Sequence, residues 1–133
     1  MWYNFVIGSG VMGKININYS LKNDGEIHSF IGKGIKNGNK ITFNDDGIMT
    51  TITLGENIFI ERKKDYLIKL GFCINNFMKG TYIIPEGSLD VVTDTKEFIF
   101  NENNIKIIYS LKINGAFAGN FELNFNYSID SSE

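Results

Sequence analysis

Along residues 105–129 the apolar side chains fall on every second position: Ile105, Ile107, Tyr109 and Leu111, then Phe117, Phe121, Leu123, Phe125, Tyr127 and Ile129. Lys106, Ser110, Lys112, Asn120, Glu122, Asn124, Asn126 and Ser128 lie between them, with Ile108 the one lapse. Period-two alternation of this kind predicts two half-buried antiparallel strands. Side-chain parity then selects the turn. A two-residue loop on Asn114-Gly115 pairs Leu111 with Ala118 and sends the two apolar sets to opposite faces. A three-residue loop, Ile113-Asn114-Gly115 with Gly115 left-handed, pairs Leu111 with Phe117, Ile107 with Phe121 and Tyr109 with Gly119. It also lays the Tyr109 ring over a glycine, which steadies a sheet. The three-residue loop is therefore the expectation.

The rest of the chain carries the same rhythm in shorter pieces. Strands are predicted over residues 2–8, 15–22, 26–35, 40–44, 48–54, 58–63, 66–72, 77–84 and 88–100, separated by turns such as Asn23-Asp24-Gly25, Asp45-Asp46-Gly47 and Pro85-Glu86-Gly87. In residues 26–35, Ile27, Ser29, Ile31 and Ile35 share one face, and Gly32 and Gly34 suggest bends or bulges. No stretch shows a capped apolar stripe of helical period. Many short consecutive strands need their edges managed, and closure removes edges altogether. The fold expected is all-β: one domain over residues 1–133, an up-and-down antiparallel barrel of about eight to ten strands, with a sandwich as the alternative. The strands within residues 1–25 are less firmly placed than the rest, and residues 131–133 are expected to fray. Phe121, Phe125 and Tyr127 point inward in such a barrel and fill it.

Composition changes the picture mainly by exclusion. A chain of 133 residues with net charge −2 offers no electrostatic footprint for nucleic acid or an anionic membrane. Its nearest basic run, Arg62-Lys63-Lys64, is closed at once by Asp65. The apolar run over residues 2–7 is too short for a signal peptide or a membrane span, which makes the cytoplasm the default location. Gly8-Ser9-Gly10-Val11-Met12-Gly13 spells a dinucleotide fingerprint, but a strand pattern follows where the chemistry needs a helix N-terminus. His28 and Cys73 are each the sole residue of their kind, which leaves no metal-ligand set and nothing to orient a nucleophile–base pair. Cys73 lies between Phe72 and Ile74 and reads as a buried, inert thiol. Asp45-Asp46 reads as a solvated turn pair. Asp90 and Asp94 share a strand face at roughly 13 Å, too far for a carboxylate dyad. No catalytic residue, metal or cofactor is expected.

Arg62 is the informative charge. It alternates with Ile58 and Ile60, while Phe59, Glu61 and Lys63 take the other face. If the isoleucines line the interior, Arg62 points inward near one mouth, where a guanidinium must be paired or wet. It is then either a structural hydrogen-bond hub or an anchor for a ligand's carboxylate or phosphate. Tyr82, Thr93 and Tyr109 could add hydroxyls to such a site.

Several of these pieces recur in a fixed order. Gly47 is followed by Thr50-Thr51-Ile52-Thr53, then Ile60-Glu61-Arg62, Tyr82-Ile83-Ile84-Pro85-Glu86-Gly87, Thr93 and Thr95, and Tyr109-Ser110-Leu111-Lys112-Ile113-Asn114-Gly115 with Gly119 beyond. In this the chain resembles the YwiB-like family of small bacterial proteins over roughly residues 26 to 129. The resemblance implies a calycin-type (lipocalin-like) β-barrel and a bacterial cytoplasmic setting, and it brings no established activity.

Two functions fit these expectations. One is a barrel that binds a small amphipathic ligand, tail inside and head group on Arg62, with Tyr82, Thr93 and Tyr109 around it. The other is a side-chain-filled barrel acting through its surface, which leaves room for an exposed apolar patch or a homodimer interface.

Overall fold

The computed structural model describes residues 5–7 and 10–130, with side chains from Met12 onward. Eleven strands follow one another: β1 Phe5–Ile7, β2 Gly10–Asn23, β3 Glu26–Asn37, β4 Lys40–Asp45, β5 Ile48–Thr53, β6 Ile58–Lys63, β7 Leu67–Phe72, β8 Phe77–Ile84, β9 Gly87–Asn101, β10 Asn104–Ile113 and β11 Ala116–Ile129. Each pairs antiparallel with its sequence neighbour, and β11 returns to lie beside β2. The ten strands β2–β11 thus close an up-and-down barrel, to which β1 adds a three-residue pairing with Gly10–Met12 of β2. No helix occurs among the described residues. The strand expected over residues 2–8 is seen as β1, and its remaining residues lie outside the described ones. So do Gly8 and Ser9 of the glycine-rich motif, whose last four residues already belong to β2.

Tight hairpins hold consecutive strands in register. Asp24-Gly25, Asp46-Gly47 and Asn114-Gly115 all take left-handed φ, at 49° and 86°, 51° and 92°, and 49° and 82°. Two consecutive positive φ angles twist the turn in the sense of the flanking strands, which is why Asx-Gly recurs there. Alternate residues then face a single core that includes Ile15, Ile17, Tyr19, Ile41, Phe43, Ile52, Ile58, Ile60, Phe72, Ile105, Ile107, Tyr109, Leu123 and Phe125, all nearly inaccessible to water. Phe125 is fully inside, and Phe121 and Tyr127 pack against this core from its margin.

The β10–β11 hairpin departs from the expected turn. Ile113 pairs with Ala116 across the two-residue Asn114-Gly115 loop, and Lys112 pairs with Phe117. The register then shifts, so that Leu111 faces Gly119 and Tyr109 faces Phe121. Ala118 is the extra residue of a β-bulge. It restores the parity that a two-residue loop alone would lose. Phe117, before the bulge, is turned outward and is 64% exposed. Tyr109 stacks on Phe121 with ring centroids 5.2 Å apart, and not on Gly119.

β3 also differs from its pattern. Ile27, Ile31 and Ile35 do share a face with Ser29, but Ile27 and Ile31 lie on the outside of the barrel, 62% and 80% exposed. The inward set is His28, Phe30, Gly32 and Gly34. Phe30 stacks on Phe43 at 5.0 Å, and a methyl on Gly34 would run into Ile17 and the Thr42 carbonyl. β3 pairs with β2 along its whole length but with β4 only at Ile35, Lys36 and Asn37. Below that point β3 and β4 diverge, and side chains fill the seam.

Candidate functional site

The seam between β3 and β4 brings together four polar side chains from four strands. Arg62 of β6 points inward with Ile58 and Ile60, its side chain 15% exposed. One terminal nitrogen donates to the Tyr19 hydroxyl of β2 at 2.7 Å, the other to Asp45 Oδ2 of β4 at 2.9 Å. The guanidinium carbon also lies 5.6 Å from the centroid of the Tyr19 ring. Asp45 Oδ2 accepts a second hydrogen bond, from His28 Nε2 of β3 at 2.7 Å. The His28 side chain remains about half exposed, at 48%, whereas that of Asp45 is 2% exposed.

Physical necessity accounts for the grouping. A guanidinium taken out of water needs an anion and acceptors for its N–H groups. Asp45 supplies the charge and Tyr19 the remaining oxygen. Burial disfavours the charged form of Arg62, but Tyr19 and Asp45 outweigh it and hold the group above its ordinary pKa. Burial pushes the Tyr19 phenol up, with Arg62 opposing. The Tyr109 phenol is raised further, again by burial first and then by Tyr19.

Asp45 is therefore not the solvated turn residue expected from Asp45-Asp46. It continues the inward alternation Ile41, Phe43, Asp45 to the last position of β4, and only Asp46 enters the turn. Extending β4 by one residue would have placed a carboxylate on the Arg62 face. Tyr19 and His28 carried no comparable signal, because their proximity to Arg62 arises from barrel closure across 43 residues of sequence in the case of Tyr19.

Among the described residues Arg62 is hydrogen-bonded to none of the other three candidates, although the Tyr109 phenol lies within electrostatic reach of Arg62 and Tyr19. Thr93 is buried, and its hydroxyl donates to the Gly71 carbonyl at 2.5 Å. Tyr82 is half-buried and meets Tyr66 edge-on at 6.3 Å. Tyr109 lies in the core between Phe121 and Phe72, the latter 4.7 Å away centroid to centroid. Thr95 Oγ1 is buried without a hydrogen-bond partner among the described residues. Cys73 is half-buried rather than fully enclosed, with Sγ 3.8 Å from the Phe77 carbonyl.

Space for a small molecule exists elsewhere. A concavity of about 500 Å³ lies over the outer faces of β4–β8, walled by Lys40, Thr53, Phe59, Glu61, Lys69 and Lys79. Gly71 and Gly80 also line it, and none of Arg62, Tyr82, Thr93 or Tyr109 does. Among the described residues no group of three or more His, Cys, Asp or Glu side chains could hold a metal ion. Nor is any helix among those residues long and apolar enough to cross a membrane.

The chain is thus a small closed up-and-down β-barrel, and sequence and structure comparisons narrow its class. Residues 31–125 match the family described as "Domain of unknown function (DUF1934)", and the chain belongs to that family. The chain is similar in structure to the ywiB protein of Bacillus subtilis, with a TM-score of 0.60 and 15% identity over 90% of this chain and 92% of that one. That likeness extends to the fold. No curated protein matches the chain.

Proposed function

We propose that this barrel is an interaction module that works through its outer surface, its interior serving as a solid core. One observation carries the reading. The residue best suited to anchor a ligand head group inside, Arg62, is already bonded to Asp45 and Tyr19, while Ile27 and Ile31 stand exposed on β3. Tyr19, Phe43, Phe72, Tyr109 and Phe125 occupy the space that an apolar tail would need. Two large exposed isoleucines two positions apart on one strand face form an apolar patch of the kind that marks a contact surface.

The competing reading, a carrier of a small amphipathic ligand, predicts different behaviour. At low micromolar concentration an anilinonaphthalene sulfonate probe is expected to fluoresce on the folded protein and to lose most of that signal in the Ile27→Lys/Ile31→Lys variant. Palmitate, an apolar tail with a carboxylate head, is expected not to be retained in native mass spectrometry. Stoichiometric palmitate that survives the double substitution and is lost in Arg62→Leu would overturn the surface reading in favour of the carrier.

A further inference from the structure

The backbone beside the isoleucine patch has a property that specifies a partner. Asn23 and Glu26 flank the two-residue Asp24-Gly25 turn, so they exchange hydrogen bonds with each other. Even-numbered residues of β3 therefore bond to β2, and odd-numbered ones direct N–H and C=O away from it. The hairpin at the other end agrees, since Asn37 and Lys40 flank Gly38-Asn39. Ile35 and Asn37 find their partners on β4. The backbone groups of Ile27, Ser29, Ile31 and Lys33 have no strand partner among the described residues. Exposed strand edges are ordinarily blunted by proline, lysine or a bulge. Between Glu26 and Gly32 this one has none of these, and its ladder to β2 runs unbroken.

We infer that the free edge of β3 pairs antiparallel with the same edge of a second copy of this chain, about a twofold axis at Ser29. This rests on the reading of the barrel as a surface-acting module and names its partner. In this register Ser29 faces Ser29 of the partner subunit, and Ile27 faces the partner's Ile31. The Ile27–Ile31 contact occurs twice, on the outer face where both residues are exposed. All the facing odd-numbered pairs are of the hydrogen-bonded type, which gives about six backbone bonds across the axis. The acidic end of each strand, Asp24 and Glu26, runs alongside the partner's Lys33, whose ammonium also lies 3.1 Å from Asp130 of its own chain. Moving the axis by half a step, to Phe30, would set each Ile27 against a lysine, and charge and burial both favour the Ser29 register. A heterologous peptide strand could use the same groups, but only a second copy matches both the isoleucine spacing and the charge order without further assumption.

An edge pairing of this size belongs to the small, transient class of interfaces. Sedimentation equilibrium of the full chain is expected to show a mass rising from 15.0 kDa toward twice that value over about 10 μM to 1 mM, the range for so small a contact. Ser29→Pro removes the N–H at the axis without touching the ladder to β2. Ile31→Lys sets a lysine against the partner's Ile27 at both symmetry-related contacts and removes the apolar pair. Each is expected to weaken association at least tenfold, with circular dichroism and melting temperature confirming that the barrel is intact. Amide exchange at Ile27, Ser29 and Ile31 is expected to slow as concentration rises. A chain that stays monomeric to 1 mM, or a dimer indifferent to both substitutions with no added protection at those amides, overturns the inference. A monomer that still loses probe fluorescence in Ile27→Lys/Ile31→Lys refutes the dimer alone, whereas a monomer whose fluorescence is indifferent to that substitution refutes the surface reading as well.

Discussion

Arg62 and Asp45 show how strongly a single buried charge constrains its neighbours. Both side chains are largely out of water, at 15% and 2% exposure, so the pair's value lies mainly in what its absence would expose. Asp45→Asn leaves the guanidinium without a counter-charge and is expected to cost about 3 kcal/mol in urea denaturation. His28→Ala removes a half-exposed partner and should cost under about 1 kcal/mol. Replacing both members, Arg62→Met with Asp45→Leu, is expected to return stability to within about 1 kcal/mol of the parent, because an apolar pair of similar volume needs no desolvation. A double variant as unstable as Asp45→Asn would mean that the ion pair itself, and not the avoidance of a lone charge, stabilises the seam. The inward face of Arg62 was legible from its alternation with Ile58 and Ile60. Its partners were not, because hydrogen bonds between strands far apart in sequence follow from closure, which no local spacing records.

At the scale of single elements, backbone geometry decides more than hydrophobicity. The β10–β11 strands could be read from alternation alone, but a bulge can substitute for a longer loop in restoring parity, and sequence did not separate the two. In β3 alternation grouped Ile27, Ser29, Ile31 and Ile35 on one face but did not say which face looks inward: Gly32 and Gly34 line the inside because Phe30, Ile17 and Phe43 occupy that space. The bulge suggested by these glycines does not occur, since the ladder to β2 is unbroken; they mark close approach of side chains instead. Gly80 makes the point testable. A methyl at this position would run into the Lys69 carbonyl on β7 and crowd Val91, and β7 and β8 pair at only three positions beside it. Gly80→Ala is expected to destabilise the barrel by about 3 kcal/mol through backbone displacement. Gly115→Ala, which meets no atoms but holds φ at 82°, should cost about 1 kcal/mol. Equal effects from the two changes, measured by thermal unfolding, would refute the claim that close strand approach governs Gly80.

For the whole molecule, closure around one cluster of buried side chains stores stability in a cooperative core, and that core contains ionisable groups that fold in their neutral form. Burial raises the phenols of both Tyr19 and Tyr109 above the ordinary value near 10. An unfolded chain would release these protons near pH 10, while the folded barrel still holds them. The native state therefore binds more protons than the unfolded state in that region, and stability falls as pH rises. Below about pH 10 both states are protonated at these tyrosines and the contribution is complete. Above it, each phenol removes up to about 1.4 kcal/mol per pH unit until its folded value is reached. Urea midpoints are expected to change little between pH 7 and 9 on this account and to drop steeply from pH 10 to 11.5. Tyr109→Phe eliminates one of the raised phenols and keeps its ring on Phe121 and Phe72, so it should flatten the alkaline slope while leaving the neutral-pH midpoint close to that of the parent. A slope unchanged in Tyr109→Phe would show that this phenol is not what the alkaline transition titrates, and that the core admits hydroxide or water more readily than its packing implies.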